Sequence, residues 1–208
     1  MTDEPSPTEY LAAFPDSIRH EALREARANR QFEIELYWKR AAYFWTFIAA
    51  AFAGYFVLQK DVGYASSIYV VTCLGFFFSL AWYIANRGSK FWQQNWEMHV
   101  DLLEDDIAGP LYKTVLRPRD YRLRDLTDAY PFSVSKINQI LSLFITLVWL
   151  VLILRTAAIA YSVGSHFFTI GIMTALTVAG VAVLYKCCLT SDSNAAIRIR
   201  RRIHRYSG

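Results

Sequence analysis

The chain has 208 residues, of which 54% are hydrophobic and 19% charged, and its net charge at neutral pH is +4. A soluble domain of this size spreads its apolar residues periodically, whereas here they are pooled into blocks between charged stretches. That patterning argues against a soluble enzyme and for a chain that crosses a membrane, because each spanning helix needs roughly 20 apolar residues.

Residues 1–40 open with a Thr-, Pro- and Glu-containing dozen that reads as loosely attached. Pro15-Asp16 then predicts a helix start with Asp16 as N-cap. Nothing breaks the helical pattern from there to Leu58 except Gly54, so one long helix is predicted to run from a polar cytoplasmic half into the first span, 41–58. Glu21, Arg24, Glu25, Arg27, Arg30 and Glu33 lie at helical spacings that permit ion pairs. Ile18, Leu23, Phe32, Ile34 and Leu36 give only a ragged apolar stripe. The second span covers 62–85, and 41–85 forms the first transmembrane hairpin.

Residues 86–136 form a cytoplasmic loop with helical character. Asn86-Arg87-Gly88-Ser89 predicts a stop or kink. A second helical pattern follows over 90–107, with Phe91, Trp92, Trp96, Leu103 and Ile107 on an apolar face and Gly109-Pro110 as terminator. Glu97, Asp101, Glu104 and Asp105 share another face, which reads as solvated. His99 is out of register to join them as a metal ligand. Residues 111–116 read as either a short strand or a helical turn. Ser133 or Ser135 is the expected N-cap of the third span, 137–154, which extends to about 160 if it passes Arg155. The fourth span lies within 167–185, and 186–208 is a basic tail.

Lys and Arg set the expected orientation. Successive segments outside the hydrocarbon hold six, one, eight, one and six of them. The two sparse connections, with Lys60 and Arg155, are predicted to be translocated and both termini to be cytoplasmic. The charged N-terminal stretch lacks the short apolar core of a cleavable signal, so the first span is expected to act as its own insertion signal. Cys187 and Cys188 then face a reducing compartment and Cys73 lies within a span, so no disulfide is expected.

Candidate functional residues fall in two groups. Asn138, Ser142 and Thr146 recur every four residues on one face of the third span, and Arg155 lies near its outer end. A polar stripe cannot face lipid. It serves either hydrogen bonding between helices or a pore lined by several copies, with Arg155 ringing the outer mouth. The second group is basic: Arg117, Arg119, Arg122 and Arg124 in the loop, and Arg198, Arg200, Arg201, Arg202 and Arg205 in the tail. These would meet anionic lipid headgroups, at about 1 kcal/mol per basic residue, or the phosphates of a nucleotide ligand. Small residues four apart (Thr46, Ala50 and Gly54; Gly75 and Ser79; Gly171, Ala175 and Ala179) suit close helix packing. Tyr37, Trp38, Tyr43, Trp45, Trp82 and Tyr83 are expected to anchor the inner interface. The chain has no phosphate-binding Gly-rich loop, HExxH or GxSxG, and His20, His99, His166 and His204 are scattered. Neither enzymatic activity nor a cofactor is expected.

Three stretches carry a resemblance. Tyr37-Trp38-Lys39-Arg40 with Tyr43-Phe44-Trp45, the run from Asn86-Arg87-Gly88-Ser89 through Trp96-Glu97, and Pro131-Phe132-Ser133-Val134-Ser135-Lys136-Ile137 resemble the RipA-like octameric inner-membrane proteins of bacteria. The chain also resembles the membrane effectors of anti-phage systems such as Hailong. The resemblance implies an all-α, homo-oligomeric protein of the inner membrane, a channel or effector gated from the cytoplasm. It further implies a nucleotide or single-stranded DNA oligomer as ligand and a nucleotidyltransferase as partner, with the loop or tail arginines on phosphates. A non-conducting scaffold that recruits cytoplasmic partners is the alternative.

Overall fold

The computed structural model describes residues 7–116, 130–162 and 167–188, and everything described is helix or connecting turn. The elements are α1 (Pro7–Ala12), α2 (Asp16–Leu58), α3 (Ala65–Leu103), α4 (Asp105–Ala108), α5 (Val134–Ser162) and α6 (Phe167–Cys187). Four of them are long and apolar enough to cross a bilayer.

α2 has 43 residues and α3 has 39. At about 1.5 Å per residue each is close to twice the length of a hydrocarbon core about 30 Å thick. Both therefore extend well beyond the bilayer as continuous rods. α2 begins as expected, but Pro15, extended at φ −59° and ψ 155°, occupies the cap position and no side chain caps the end. Asp16 is instead the first helical residue and pairs with Arg19 at 2.9 Å, a carboxylate placed at the positive end of the helix dipole.

The α2–α3 hairpin closes through a short 3-10 turn, Val62–Tyr64, in which Asp61 Oδ1 accepts the Gly63 N–H at 2.8 Å. α3 then runs through 86–89 without a break, which corrects the expected stop. Asn86 and Ser89 are buried there. Asn86 Nδ2 donates to Ser142 Oγ at 3.2 Å, and Arg40 Nη1 donates to Ser89 Oγ at 2.8 Å. Partners on other helices satisfy the side chains that in isolation favour a turn. The rod ends at Leu103, and Gly109, with φ +67°, completes the reversal into a turn at 111–113. Of the two readings for 111–116, the turn is the one found. At the start of α5 the Lys136 N–H reaches Ser133 Oγ at 3.4 Å, so Ser133 is the cap.

α3 is the central element, with α2, α5 and α6 each packed along it. α2 runs antiparallel to α3, as Phe47 stacks on Phe78, Trp45 meets Trp82 edge-on and Leu23 clusters with Val100. α5 is antiparallel as well, and α6 is parallel. The buried positions of α3 recur at steps of three and four, through Thr72, Gly75, Ser79, Trp82, Asn86, Ser89 and Gln93. This 3.5-residue period is that of supercoiled helices. Apart from Trp82, the residues filling it are small or polar, as suits helices packed in lipid.

Outside the membrane segment, the paired ends of α2 and α3 have their own apolar core. Tyr10, Leu23, Ala26, Val100 and Leu103 are buried together, with Trp96 and Ile107 against them. Ile18, Phe32, Phe91 and Trp92 remain exposed. Arg19 bridges to Asp106 at 2.9 Å and Arg40 to Glu33 at 3.1 Å.

Candidate functional site: a polar seam along α3 and α5

Asn138, Ser142 and Thr146 are all buried inside a single protomer, Ser142 at 0% exposure. Ser142 and Thr146 return their hydroxyls to the carbonyls of Asn138 and Ser142, at 2.8 and 2.7 Å. Asn86 of α3 donates to Ser142 and, at 3.4 Å, to the Asn138 carbonyl. The stripe is thus turned toward its own α3. Within the protomer it takes part in hydrogen bonding between helices, one of the two readings of the stripe. Further along the same seam Thr72 and Thr156 meet at 3.2 Å, and Tyr69 reaches across to Thr174 of α6 at 2.7 Å. Arg155 is exposed at the far end, with Nη1 at 3.5 Å from the Tyr55 hydroxyl.

Midway along the seam sits Trp149, fully buried. Its indole lies on the bare backbone of Gly75, where an added Cβ would come within 2.4 Å of the ring. Phe52 stacks on it at 4.3 Å between centroids and Tyr55 meets it edge-on at 6.3 Å. Only glycine at position 75 permits this approach, and the ring joins α2, α3 and α5 at one level. Of the small pairs picked out in the sequence, Gly75 and Ser79 work inside the protomer, and a Cβ added at Gly54 would lie 3.7 Å from Val71 of α3. Gly171 has nothing near it. Gly180, not singled out, receives the edge of Phe77.

The tip of the arm carries the charged cluster. Glu97 lies 3.8 Å from Arg30 and 3.7 Å from Lys90, and Asp105 holds Lys113 at 2.7 Å. Glu104 departs from the expected solvated face. It is fully buried, and its two carboxylate oxygens accept the Tyr112 backbone N–H at 3.2 and 3.1 Å, tying the turn after α4 back to α3. The Tyr112 ring lies under the guanidinium groups of Arg27 and Arg30, at 5.2 and 5.8 Å. Burial, and then the charge of Glu104, push the Asp101 carboxyl above its ordinary range. Among the described residues no group of three or more His, Cys, Asp or Glu side chains is arranged to hold a metal.

α1 is held by Tyr10, whose hydroxyl is 2.5 Å from His99 Nδ1. Burial raises the Tyr10 hydroxyl to about 12 and lowers His99. Of the expected interfacial anchors, Trp38, Tyr43 and Trp45 are exposed, whereas Tyr37 and Trp82 are buried. The loop arginines Arg117, Arg119, Arg122 and Arg124, and the tail arginines Arg198, Arg200, Arg201, Arg202 and Arg205, lie outside the described residues.

Four apolar helices packed through small and polar contacts, with two of them prolonged into a charged arm, define a multi-pass α-helical membrane protein. A family profile, the octameric membrane protein family (8xMP), matches residues 20–158. The chain belongs to that family, and self-association goes with it. Neither a curated protein nor a solved structure matches.

Proposed function

We propose that the assembled protein is a channel or effector of the bacterial inner membrane, gated from the cytoplasm, that depolarises the membrane in anti-phage defence. The observation that carries this reading is the continuity of α2 and α3. Each is one unbroken rod from the charged arm into the bilayer, so a ligand that displaces the arm displaces the membrane segment with it. The Lys and Arg distribution supports a cytoplasmic placement of that arm and of both termini. The resemblance to RipA-like proteins and to Hailong-type effectors supports a nucleotide or single-stranded DNA oligomer as the gating ligand, made by a nucleotidyltransferase partner. No enzymatic step is assigned to this chain. Because Asn138, Ser142 and Thr146 are spent on packing, the conduit in this reading runs between protomers.

Purified oligomer reconstituted in a planar bilayer is expected to conduct, and a short single-stranded DNA or nucleotide ligand added on the arm side is expected to change that conductance. A bilayer that stays silent under both conditions refutes the reading.

The burial of the polar stripe favours a second reading, a non-conducting scaffold that recruits soluble partners through the arm. Such a protein stays silent in the bilayer and retains partners in a pull-down that loses them when residues 16–40 are altered.

A further inference from the structure

α2 carries two seams, and α3 occupies only one. The occupied seam includes Leu23, Ala26, Tyr37, Ala41, Ile48 and Tyr55, all buried. On the opposite side a second series recurs at alternating steps of three and four. Phe32, Glu35 and Lys39 belong to it in the arm, and Ala42, Thr46, Ala49 and Ala53 continue it in the bilayer. Every one of these positions is exposed in the protomer.

The composition of that series separates it from a lipid-facing surface. The outward face of α5 presents Phe144, Leu147, Val151 and Leu154, all bulky and exposed, as lipid contact allows. The open series of α2 has no side chain larger than threonine from 42 to 53, the composition that lets two helix backbones approach closely in a membrane. Lipid does not cover the arm, yet the series continues there with Phe32, 55% exposed in a charged surround. An exposed aromatic there is spaced to enter a facing helix. Glu35 and Lys39, one turn apart, place opposite charges on the series, so that an adjacent identical helix meets complementary charge. The family match covers 20–158, which contains all of α2 from His20 onward and none of α6. A surface for assembly common to the family therefore falls within 20–158, which includes α2 and leaves out α6.

We propose that this second seam of α2, from Phe32 to Ala53, is the contact between adjacent copies of the chain in the oligomer. The inference uses the family's octameric assembly and does not depend on whether the protein conducts.

Full-length protein solubilised in mild detergent provides the test, with mass read by light scattering. Ala49→Leu adds bulk that lipid accommodates and a helix seam does not. The assembled fraction is expected to fall by about tenfold or more at matched concentration, with helix content by circular dichroism unchanged. Leu147→Trp on the outward face of α5 is expected to leave the assembly whole. An intact Ala49→Leu assembly overturns the proposal. In native membranes, a Lys39→Cys chain with Cys73, Cys187 and Cys188 changed to Ser is expected to give a cross-linked dimer band with a short bis-maleimide. Met98→Cys, exposed on the outer side of α3, is expected to remain a single band. A dimer band from the Met98 variant and none from the Lys39 variant also overturns it.

Discussion

Gly75→Ala is the substitution for which the structure makes its sharpest demand. The new methyl would lie 2.4 to 2.6 Å from Trp149 Cε2, Cδ2 and Cζ2, about 1 Å or more inside ordinary van der Waals separation. The ring cannot retreat, because Phe52 is stacked against it and Tyr55 closes its edge. Either α5 moves off α3 or the indole leaves its well, and overpacking of this kind costs about 1–3 kcal/mol. Ala exceeds Gly in intrinsic helix stability by about 0.5–1 kcal/mol, so the net loss expected is centred on about 1 kcal/mol. Gly171→Ala, where nothing lies within 4 Å, isolates the propensity effect and is expected to be neutral or slightly stabilising. The assay is reversible unfolding in mixed micelles, run as a double-mutant cycle with Trp149→Leu. Shrinking the ring should restore room for the methyl, giving a coupling of about 1 kcal/mol or more. A Gly75→Ala protein as stable as the parent, or a cycle with no coupling, refutes the close-approach argument.

Other predictions follow from the same geometry. Asn86→Leu removes both hydrogen bonds to α5 and is expected to lower stability by about 0.6–2 kcal/mol in the same micelle assay; an unchanged midpoint contradicts the seam. Glu104→Ala frees the Tyr112 N–H inside the arm and is expected to cost about 1–3 kcal/mol, seen as faster proteolysis after Lys113; unaltered cleavage refutes that role. His99 is held neutral by burial against Tyr10 and Trp96. Its pKa in the fold lies below the unfolded value, so the docking of α1 is complete above the ordinary imidazole range and is lost as pH falls through it. Hydrogen exchange over residues 8–12, corrected for intrinsic rates, should accelerate on acidification in the parent and show no such pH dependence in His99→Leu. The same acceleration in both assigns the effect to another group.

The long-range plan of the molecule was legible because lipid imposes it. Uncharged stretches of spanning length mark the four helices, and the absence of a breaker between Asp16 and Leu58 predicts the α2 rod that is found. The run 86–89 misleads, because local propensity there favours a turn while Asn86 and Ser89 find partners on α5 and α2 that a sequence taken alone does not display. Glu104 misleads for a related reason: spacing puts it on a charged face, but the turn after Gly109 folds back to cover it. The polar stripe of α5 was visible as a stripe, yet periodicity tells only that it avoids lipid, not which helix receives it. The 3.5-residue recurrence of small and polar residues on α3 was present in the sequence and would have named that helix as the receiver.

The place of Trp149 has a consequence for how the chain is made. Its resting site is built from Gly75 on one helix and Phe52 and Tyr55 on another, so nothing can receive it until the α2–α3 hairpin already stands in the bilayer. α6, which leans on α3 through Phe77 and Tyr69, follows later still. For α5 and α6 the order of synthesis thus coincides with the order in which docking surfaces come into being, and a ribosome feeding the translocon N-terminus first presents neither helix before its berth exists.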